Sequence, residues 1–458
     1  MMFHKILIAN RSEIAVRVIR AVRELGIPSV AVYSEADRES LHISLADEAV
    51  CIGPSPSPQS YLNCEALLAA AKMTGADAIH PGYGFLAENA DFAQACADHG
   101  LTFIGPKPEA IRKLGHKSAA KALARSAQVP VVPGSAGTLT SGFLREAQAL
   151  GFPVMVKAAA GGGGKGLRLV RDPAQLEAQV SLAQNEAQTA FKDGSVYIEK
   201  FIDRPRHVEI QIAADAAGKV VAFPERDCTV QRRHQKLIEE SPSPAVPAAT
   251  REQMQASAVR LARAAGYSNV GTVEFLLAPD GRFYFIEVNT RLQVEHPVTE
   301  CVTGLDLVAT QIRLAAGEPL GFGQDRAGDI RGHAIEHRIN AEDPRKGFAP
   351  GPGRITALRL PGGPGVRFDT HIYSGYTVPM YYDSLLGKLI VHSADRPAAI
   401  VRALRALSEL RVDGIPTTAE FHTRVLAHPK FHSGDFDTHF IDTIQEAEKC
   451  PAASSPAY

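Results

Sequence analysis

Over its first 115 residues the chain alternates short apolar runs with helix-periodic stretches, and that alternation leaves few folds open. Residues 5–9 form an apolar run suited to a buried strand. Next, Ile14, Val18, Ala21 and Leu25 recur at helical spacing, with Arg17, Arg20 and Glu24 on the other face. Gly26 ends that helix and residues 29–33 supply another strand. The pattern returns as a strand at 76–80, a helix at 91–99 and a strand at 101–104. Such alternation predicts a doubly wound α/β unit with parallel strands.

The chain does not end there. At roughly 150 residues per domain, 458 residues predict about three domains. After a helix at 117–126 and a Pro/Gly/Ser/Thr-rich stretch at 129–142, strands are expected at 152–158 and 167–170. Between those two strands lies the run Gly161-Gly162-Gly163-Gly164-Lys165. A helix at 173–190, a strand at 195–200, extended structure over 207–240, a helix at 250–265 and a hairpin at 271–290 follow. A Gly/Pro-rich connector at 317–328 marks the next boundary. Beyond it come strands at 333–340, 354–360 and 386–392, a helix at 397–410 and a short polar tail.

Charge and cysteine usage narrow the function classes. Lys and Arg total 49 against 50 Asp and Glu, a formal net charge of -1, which argues against a broad nucleic-acid footprint. No uncharged apolar run approaches the ~18 residues of a membrane helix. The N-terminus lacks a signal-peptide pattern. Six scattered cysteines form no CxxC pair, so a zinc ribbon is disfavoured and a reducing cytoplasm is the expected compartment.

Several constellations can carry chemistry. The glycine run reads either as a linker or as a hairpin that presents backbone N–H groups and Lys165 to phosphates; its flanking apolar strands favour the second. It is not a P-loop, because Gly166 stands where Ser or Thr is required. In the hairpin, Asp280-Gly281 is a strong two-residue turn signal. A two-residue loop sets Pro279 against Arg282 and Glu274 opposite Glu287. Opposed like charges need a compensating partner: a divalent cation, with Asn289 on the same face, or a nearby Lys or Arg. Arg291, Gln293 and Glu295 continue the alternation, which suits an anionic oxygen substrate with a carboxylate available as base. In 231–236, alternation on a strand puts His234 and Lys236 on one face toward a phosphate cleft.

Two motif matches are decoys. Gly82-Tyr83-Gly84-Phe85-Leu86-Ala87 fits a dinucleotide fingerprint but follows a later strand and Pro81, so a nicotinamide site is not expected. His333-Ala334-Ile335-Glu336-His337 fits a metalloprotease pattern that needs a helix. Ile335 and Ile339 alternate as in a strand, where four residues span about 13 Å, too far for one zinc.

Taken together, Ile8-Ala9-Asn10-Arg11, the segment 80–86, the glycine run, Glu225-Arg226-Asp227-Cys228, Arg232 to Lys236, Glu287 to Pro297 and Arg338 to Pro344 resemble biotin carboxylase, an ATP-grasp ligase family, over roughly 3–445. The resemblance implies a doubly wound N-terminal domain at 1–115. An ATP-grasp domain follows at 116–318, with a mobile glycine-rich lid over about 132–203. A C-terminal domain at 331–446 and a mobile tail at 447–458 complete the chain. It implies that bicarbonate, activated by ATP as carboxyphosphate, carboxylates a biotin nitrogen. Lys117, Lys157, Gly163, Gly164, Glu199, Lys200, Phe201, Ile202, His207, Gln231 and His234, with Glu274 and Glu287, are implied to bind ATP. Glu274, Glu287 and Asn289 are the implied ligands for Mg²⁺ or Mn²⁺, two ions in all. Lys236, Arg291, Gln293 and the Val294 amide would hold bicarbonate, with Glu295 as base. Arg338 would stabilise the biotin ureido oxygen and Tyr83 would line that pocket.

Departures from the family pattern are small: Ser12 replaces the glycine usual after Asn-Arg, Lys165 stands where some members have Arg, and His116 replaces an acidic residue. No Met-Lys-Met biotinylation motif occurs; Ala71-Lys72-Met73 lacks the first Met. A separate biotin carboxyl carrier protein and separate carboxyltransferase subunits are therefore expected, without nucleic acid or membrane, and the resemblance implies a homodimer. The competing readings are another ATP-grasp ligase acting on bicarbonate or a carboxylic acid, as in carbamoyl phosphate synthesis, a non-catalytic ATP-binding regulator, and a nucleic-acid binder. The final carboxyl acceptor is not encoded in these motifs.

Overall fold

A computed structural model of the protein describes residues 2–135, 137–139, 141–159 and 166–449. The expected N-terminal alternation is present. Strands β1 (Ile6–Ile8), β2 (Ser29–Ser34), β3 (Glu48–Gly53), β4 (Ala78–His80) and β5 (Thr102–Phe103) form a parallel sheet in the order β3-β2-β1-β4-β5. The edge strand β3 has no counterpart among the expected strands, although Ala49-Val50-Cys51-Ile52 is a short apolar run; only Ile52 of it is buried. Helix α1 (Ser12–Glu24) buries Ile14, Val18 and Ala21 as its spacing predicts. Arg17, expected on its solvent face, is instead buried, 2.8 Å from both Glu300 and Asp306. The cluster around Ile6, Ile8 and Ile14 also takes in Val221, Phe223 and Leu307, so the first sheet and the central region share a core.

Strands β6 (Val154–Ala158), β7 (Leu167–Val170) and β8 (Val196–Lys200) form a small antiparallel sheet backed by the helices at 143–150 and 176–191. The glycine run that the β6–β7 connection contains, with Gly163, Gly164 and Lys165, lies outside the described residues.

The body of the protein is an eight-stranded antiparallel sheet. Strands β9 (Arg206–Ala214), β10 (Val220–Arg232), β11 (Gln235–Ser241), β12 (Asn269–Leu277), β13 (Phe283–Asn289) and β14 (His333–Asn340) are joined by Leu385–Ser393 and Val366–Thr370. Its order is β13-β12-β9-β10-β11-β14, followed by those two. Because β11 pairs with β14, one sheet runs from the central region into the C-terminal region. The Gly/Pro-rich connector is packed rather than free: Gln324 donates to the Ala222 carbonyl at 2.7 Å and accepts from its N–H at 2.9 Å. Those bonds serve the part of β10 where the ladder to β9 slips between Ala222 and Glu225.

The substitution at position 12 has a visible cost and compensation. Ser12 takes φ 65°, a left-handed conformation that costs a non-glycine residue roughly 1–2 kcal/mol. Its Oγ lies 2.9 Å from Nδ1 of His371, whose buried ring is driven down to about 3 by desolvation and so is neutral. Ser12→Gly would relieve the backbone and lose a bond worth about 1 kcal/mol, leaving stability nearly unchanged. Ser12→Ala would keep the strain and lose the bond, so the alanine variant should unfold at lower denaturant concentration. Equal midpoints for the two variants would show that the backbone conformation is not what matters.

Candidate active site

The hairpin that carries the paired glutamates reaches the expected register by an unexpected route. Its turn has three residues, not two: the Ala278 N–H donates to the Arg282 carbonyl at 2.8 Å, around a loop in which Gly281 has φ 83°. That shifts the pairing by one, giving Phe275 opposite Phe285. A bulge next to Glu274 shifts it back, so Glu274 does face Glu287. On the other side of β12, Glu274 also faces Glu209 of β9, which in turn faces Arg226 of β10. One rung of the sheet thus reads Arg226, Glu209, Glu274, Glu287.

Three carboxylates in a row demand cations, and the sheet supplies them. Fully buried Arg226 donates to Glu209 at 2.5 Å and to Gln211 at 2.9 Å. Lys236 reaches over from β11 to Glu209 at 2.7 Å, Glu274 at 3.1 Å and Glu295 at 2.6 Å. Burial opposes the charge on Lys236, but the surrounding acids outweigh it and its ammonium is held well above the usual lysine range. Glu274 also accepts from His207 at 2.9 Å, Asn289 at 2.8 Å and Gln293 at 2.9 Å. Burial alone would raise its pKa, yet Lys236 and His207 bring it far below the carboxylate range, so it is ionised. The alternative expectation of a neutralising lysine therefore holds for Glu274. Glu287 is different: it is partly exposed to the cavity, with Lys117 3.5 Å away.

The expected alternation past Asn289 does not continue as a strand. β13 ends at Asn289, and Glu295 is the N-cap residue of the helix His296–Thr303. Hydrogen bonds rather than pleating gather these side chains. Arg291 donates to the Asn289 amide oxygen at 3.0 Å, to Gln293 at 2.9 Å and to Glu88 at 2.9 Å. Glu295, fully buried, is clasped between Lys236 and Arg338, the latter at 2.8 Å. Desolvation would raise its pKa, but those two cations hold it well below the usual range. Arg338 also donates to Glu239 at 2.6 Å.

At the other end of the cavity, Lys157 lies 2.7 Å from Glu199, and Lys121 also hydrogen-bonds that carboxylate. Burial lowers Lys121 to about 8. His234 corrects the reading of 231–236: it sits in the tight turn between β10 and β11, with Arg233 at φ 49° and His234 at φ 66°, not on a strand. It still lines the cavity, as do Gln231 and Lys236, which pair one step below the Arg232–Gln235 pair that closes the turn.

Among the described residues, every predicted site residue except Glu295 lines one cavity of about 960 Å³. The decoys resolve as expected. His333–Asn340 is a strand in which His337 is buried and neutral, driven to about 3 by desolvation. Gly82 and Gly84 form a loop packed on Asn10, whose amide donates to the Pro81 and Tyr83 carbonyls at 2.7 Å, and the next helix begins only at Ala90. Sequence reasoning missed Arg226, Glu209, Glu239, Lys121 and Glu88 as partners. Alternation from His207 signals Glu209; the others lie on strands or helices whose neighbours only the fold defines.

The donor set fits a hard divalent cation. Glu287 presents carboxylate oxygens to the cavity beside ionised Glu274 and the amide of Asn289, the oxygen chemistry that Mg²⁺ takes alongside phosphates. Lys117, 3.5 Å from Glu287, and Lys157, beside Glu199, line the same cavity.

Family models match the chain in three consecutive stretches: Biotin carboxylase, N-terminal domain, over 2–111; Carbamoyl-phosphate synthase L chain, ATP binding domain, over 116–322; and Biotin carboxylase C-terminal domain over 336–443. The chain is 55% identical to a biotin carboxylase of a Nostoc species over 448 residues, covering 97% of this chain and 100% of that protein. It superposes with a TM-score of 0.93 on the biotin carboxylase of Campylobacter jejuni in a β,γ-ATP complex, at 47% identity, covering 96% and 99% of the two chains. It superposes with a TM-score of 0.92, at 44% identity and 100% coverage of both chains, on the biotin carboxylase domain dimer of the Hydrogenobacter thermophilus 2-oxoglutarate carboxylase bound to MgADP, ADP and bicarbonate.

Proposed function

The chain belongs to the biotin carboxylase family, and on that premise we propose that it carboxylates biotin on a separate carrier protein, using bicarbonate and MgATP. The observation that carries this reading is the clasp of Glu295 between Lys236 and Arg338, beside Arg291 and Gln293 and within reach of the Glu274–Glu287 pair. Bicarbonate is a poor electrophile and an anion that must meet another anion. Cations that converge on one buried carboxylate address the second. The first is met when a bicarbonate oxygen attacks the γ-phosphorus of ATP, ADP leaves, and the carboxyphosphate formed passes its carbon to the biotin nitrogen as phosphate leaves.

In this reading Lys117 and Lys157 bind nucleotide phosphates, and Gly163 and Gly164 are further ATP-binding residues. Glu199, Lys200, Phe201 and Ile202 form the adenine end, and His207, Gln231 and His234 complete the nucleotide site. Mg²⁺, held by Glu274, Glu287 and Asn289, supplies charge neutralisation at the phosphates when bound. Lys236, Arg291, Gln293 and the Val294 amide bind bicarbonate. Glu295 accepts its proton: when the incoming anion draws Lys236 and Arg338 toward itself, the carboxylate loses the charges that keep it so weakly basic. Arg338, released from Glu295 in the same motion, can then face the oxygen of the biotin ureido group as negative charge develops there, with Tyr83 along the ring.

Partners follow from the chemistry. The product is a carboxylated biotin, so the chain works with a biotin carboxyl carrier protein and carboxyltransferase subunits, as in an acyl-CoA carboxylase that feeds fatty acid synthesis, and as a homodimer. Among the described residues no helix is long and apolar enough to cross a membrane.

The test is ADP release by the purified protein. Release should require bicarbonate and Mg²⁺, rise with free biotin, and stop on chelation with EDTA. Bicarbonate-dependent release that biotin does not raise would instead assign another bicarbonate-activating ligase of the ATP-grasp type.

A further inference from the structure

Beneath the site lies a buried ion pair to which none of the roles above is assigned. Lys388 stands on the strand Leu385–Ser393 directly opposite Arg338 of β14, so the two cations share one face of the sheet. Its side chain is completely buried. The ammonium donates to the Val294 carbonyl at 2.8 Å and lies 3.3 Å from Glu13, in the first turn of α1. It also lies 5.9 Å from the centre of the Tyr83 ring, and the Tyr83 hydroxyl donates to Glu13. One pair of charges from opposite ends of the chain thus touches both Val294 and Tyr83.

Such a pair is a poor device for stability alone. Taking an ammonium and a carboxylate out of water costs several kcal/mol each, and apolar residues of similar volume often do as well or better. What the pair does achieve is placement. The Val294 carbonyl belongs to the planar peptide that leads into Glu295, so fixing that oxygen fixes the backbone between Val294 and Glu295. On the other side, Glu13 fixes the hydroxyl end of Tyr83, and thereby the ring that faces the cavity.

We propose that Lys388 and Glu13 are positioning residues that hold the Val294–Glu295 peptide and the Tyr83 ring in one arrangement, keeping the bicarbonate and biotin subsites in register. This rests on the roles proposed above for Val294, Glu295 and Tyr83. Misplacing a reacting group by an ångström can cost about a hundredfold, so the effect should be large although neither residue touches a substrate.

The test uses the full chain. Glu13→Gln with Lys388→Met removes both charges together and leaves no unpaired charge to unfold the protein; Lys388→Met alone is the harsher variant. In the double variant the KM for bicarbonate and the KM for biotin should each rise roughly tenfold or more, while the KM for ATP stays within about twofold. A merely structural role would lower the melting temperature and leave the three KM values in their wild-type ratio. Unchanged bicarbonate and biotin constants in the double variant, with normal wild-type kinetics, overturn this inference alone. A wild-type protein with no bicarbonate-dependent ADP release overturns the proposed function and this inference with it.

Discussion

Glu295→Gln is expected to lower bicarbonate-dependent turnover by about 10²–10⁴-fold while MgATP binds with nearly unchanged affinity. The substitution keeps the shape of the side chain and one acceptor for Lys236 or Arg338, but removes the atom that takes the proton. It leaves the nucleotide end alone, because the hydrogen bonds and ion pairs that hold Glu295 run to Lys236, Arg338 and the Cys228 thiol, not to Lys117, Lys157 or Glu287. The two arms of the expectation are measured separately, by single-turnover ADP release with bicarbonate and by equilibrium binding of MgATP. Near-normal release refutes Glu295 as the base. Loss of nucleotide binding would mean that the substitution acts through the fold.

The second large effect falls on stability. Arg226→Met removes a guanidinium that is completely buried and donates to Glu209, Gln211, Thr299 and Thr272. Among the described residues Glu209 then keeps only Lys236 as a cation, while it still faces Glu274 across the ladder. Breaking a buried pair from one side costs about 3–5 kcal/mol, because the surviving charge has no solvent to turn to. Denaturant titration of the variant should show that loss, and the double variant Glu209→Gln with Arg226→Met should recover part of it. A loss below about 1 kcal/mol would mean that water or a rearranged Lys236 satisfies Glu209, and would remove the rung from the account of the fold.

Much of the site was legible because strand periodicity and residue chemistry are local. Glu274, Glu287 and Asn289 could be assigned to one face from their spacing, and the structure keeps them there. The route was less legible than the result. Counting from a two-residue turn misses the three-residue loop at Pro279-Asp280-Gly281, and the agreement at Glu274 depends on a bulge that no pattern of apolar residues announces. Similarly, the alternation through Arg291, Gln293 and Glu295 reads as strand. The chain in fact leaves the sheet there, and a helix cap at Glu295 turns the carboxylate under Lys236 and Arg338. The placement of His234 failed for a related reason: two consecutive residues with positive φ make a tight turn that polar side chains disguise as one more extended segment.

What the sequence determined by itself is the set of elements, the parallel α/β opening, the identity of the chemical groups and the family resemblance. Each of these depends on neighbours within a few residues or on ordered motifs. What only the tertiary structure decided is which strands stand side by side. Arg226 meets Glu209, Glu209 meets Glu274, and Lys388 meets Arg338 through a sheet that joins residues 206–241, 269–289, 333–340 and 366–393. That order follows from how the apolar faces of distant segments pack. Hence the charges that hold Glu295 and Glu274 ionised in a buried site could not be read from their own surroundings in the chain.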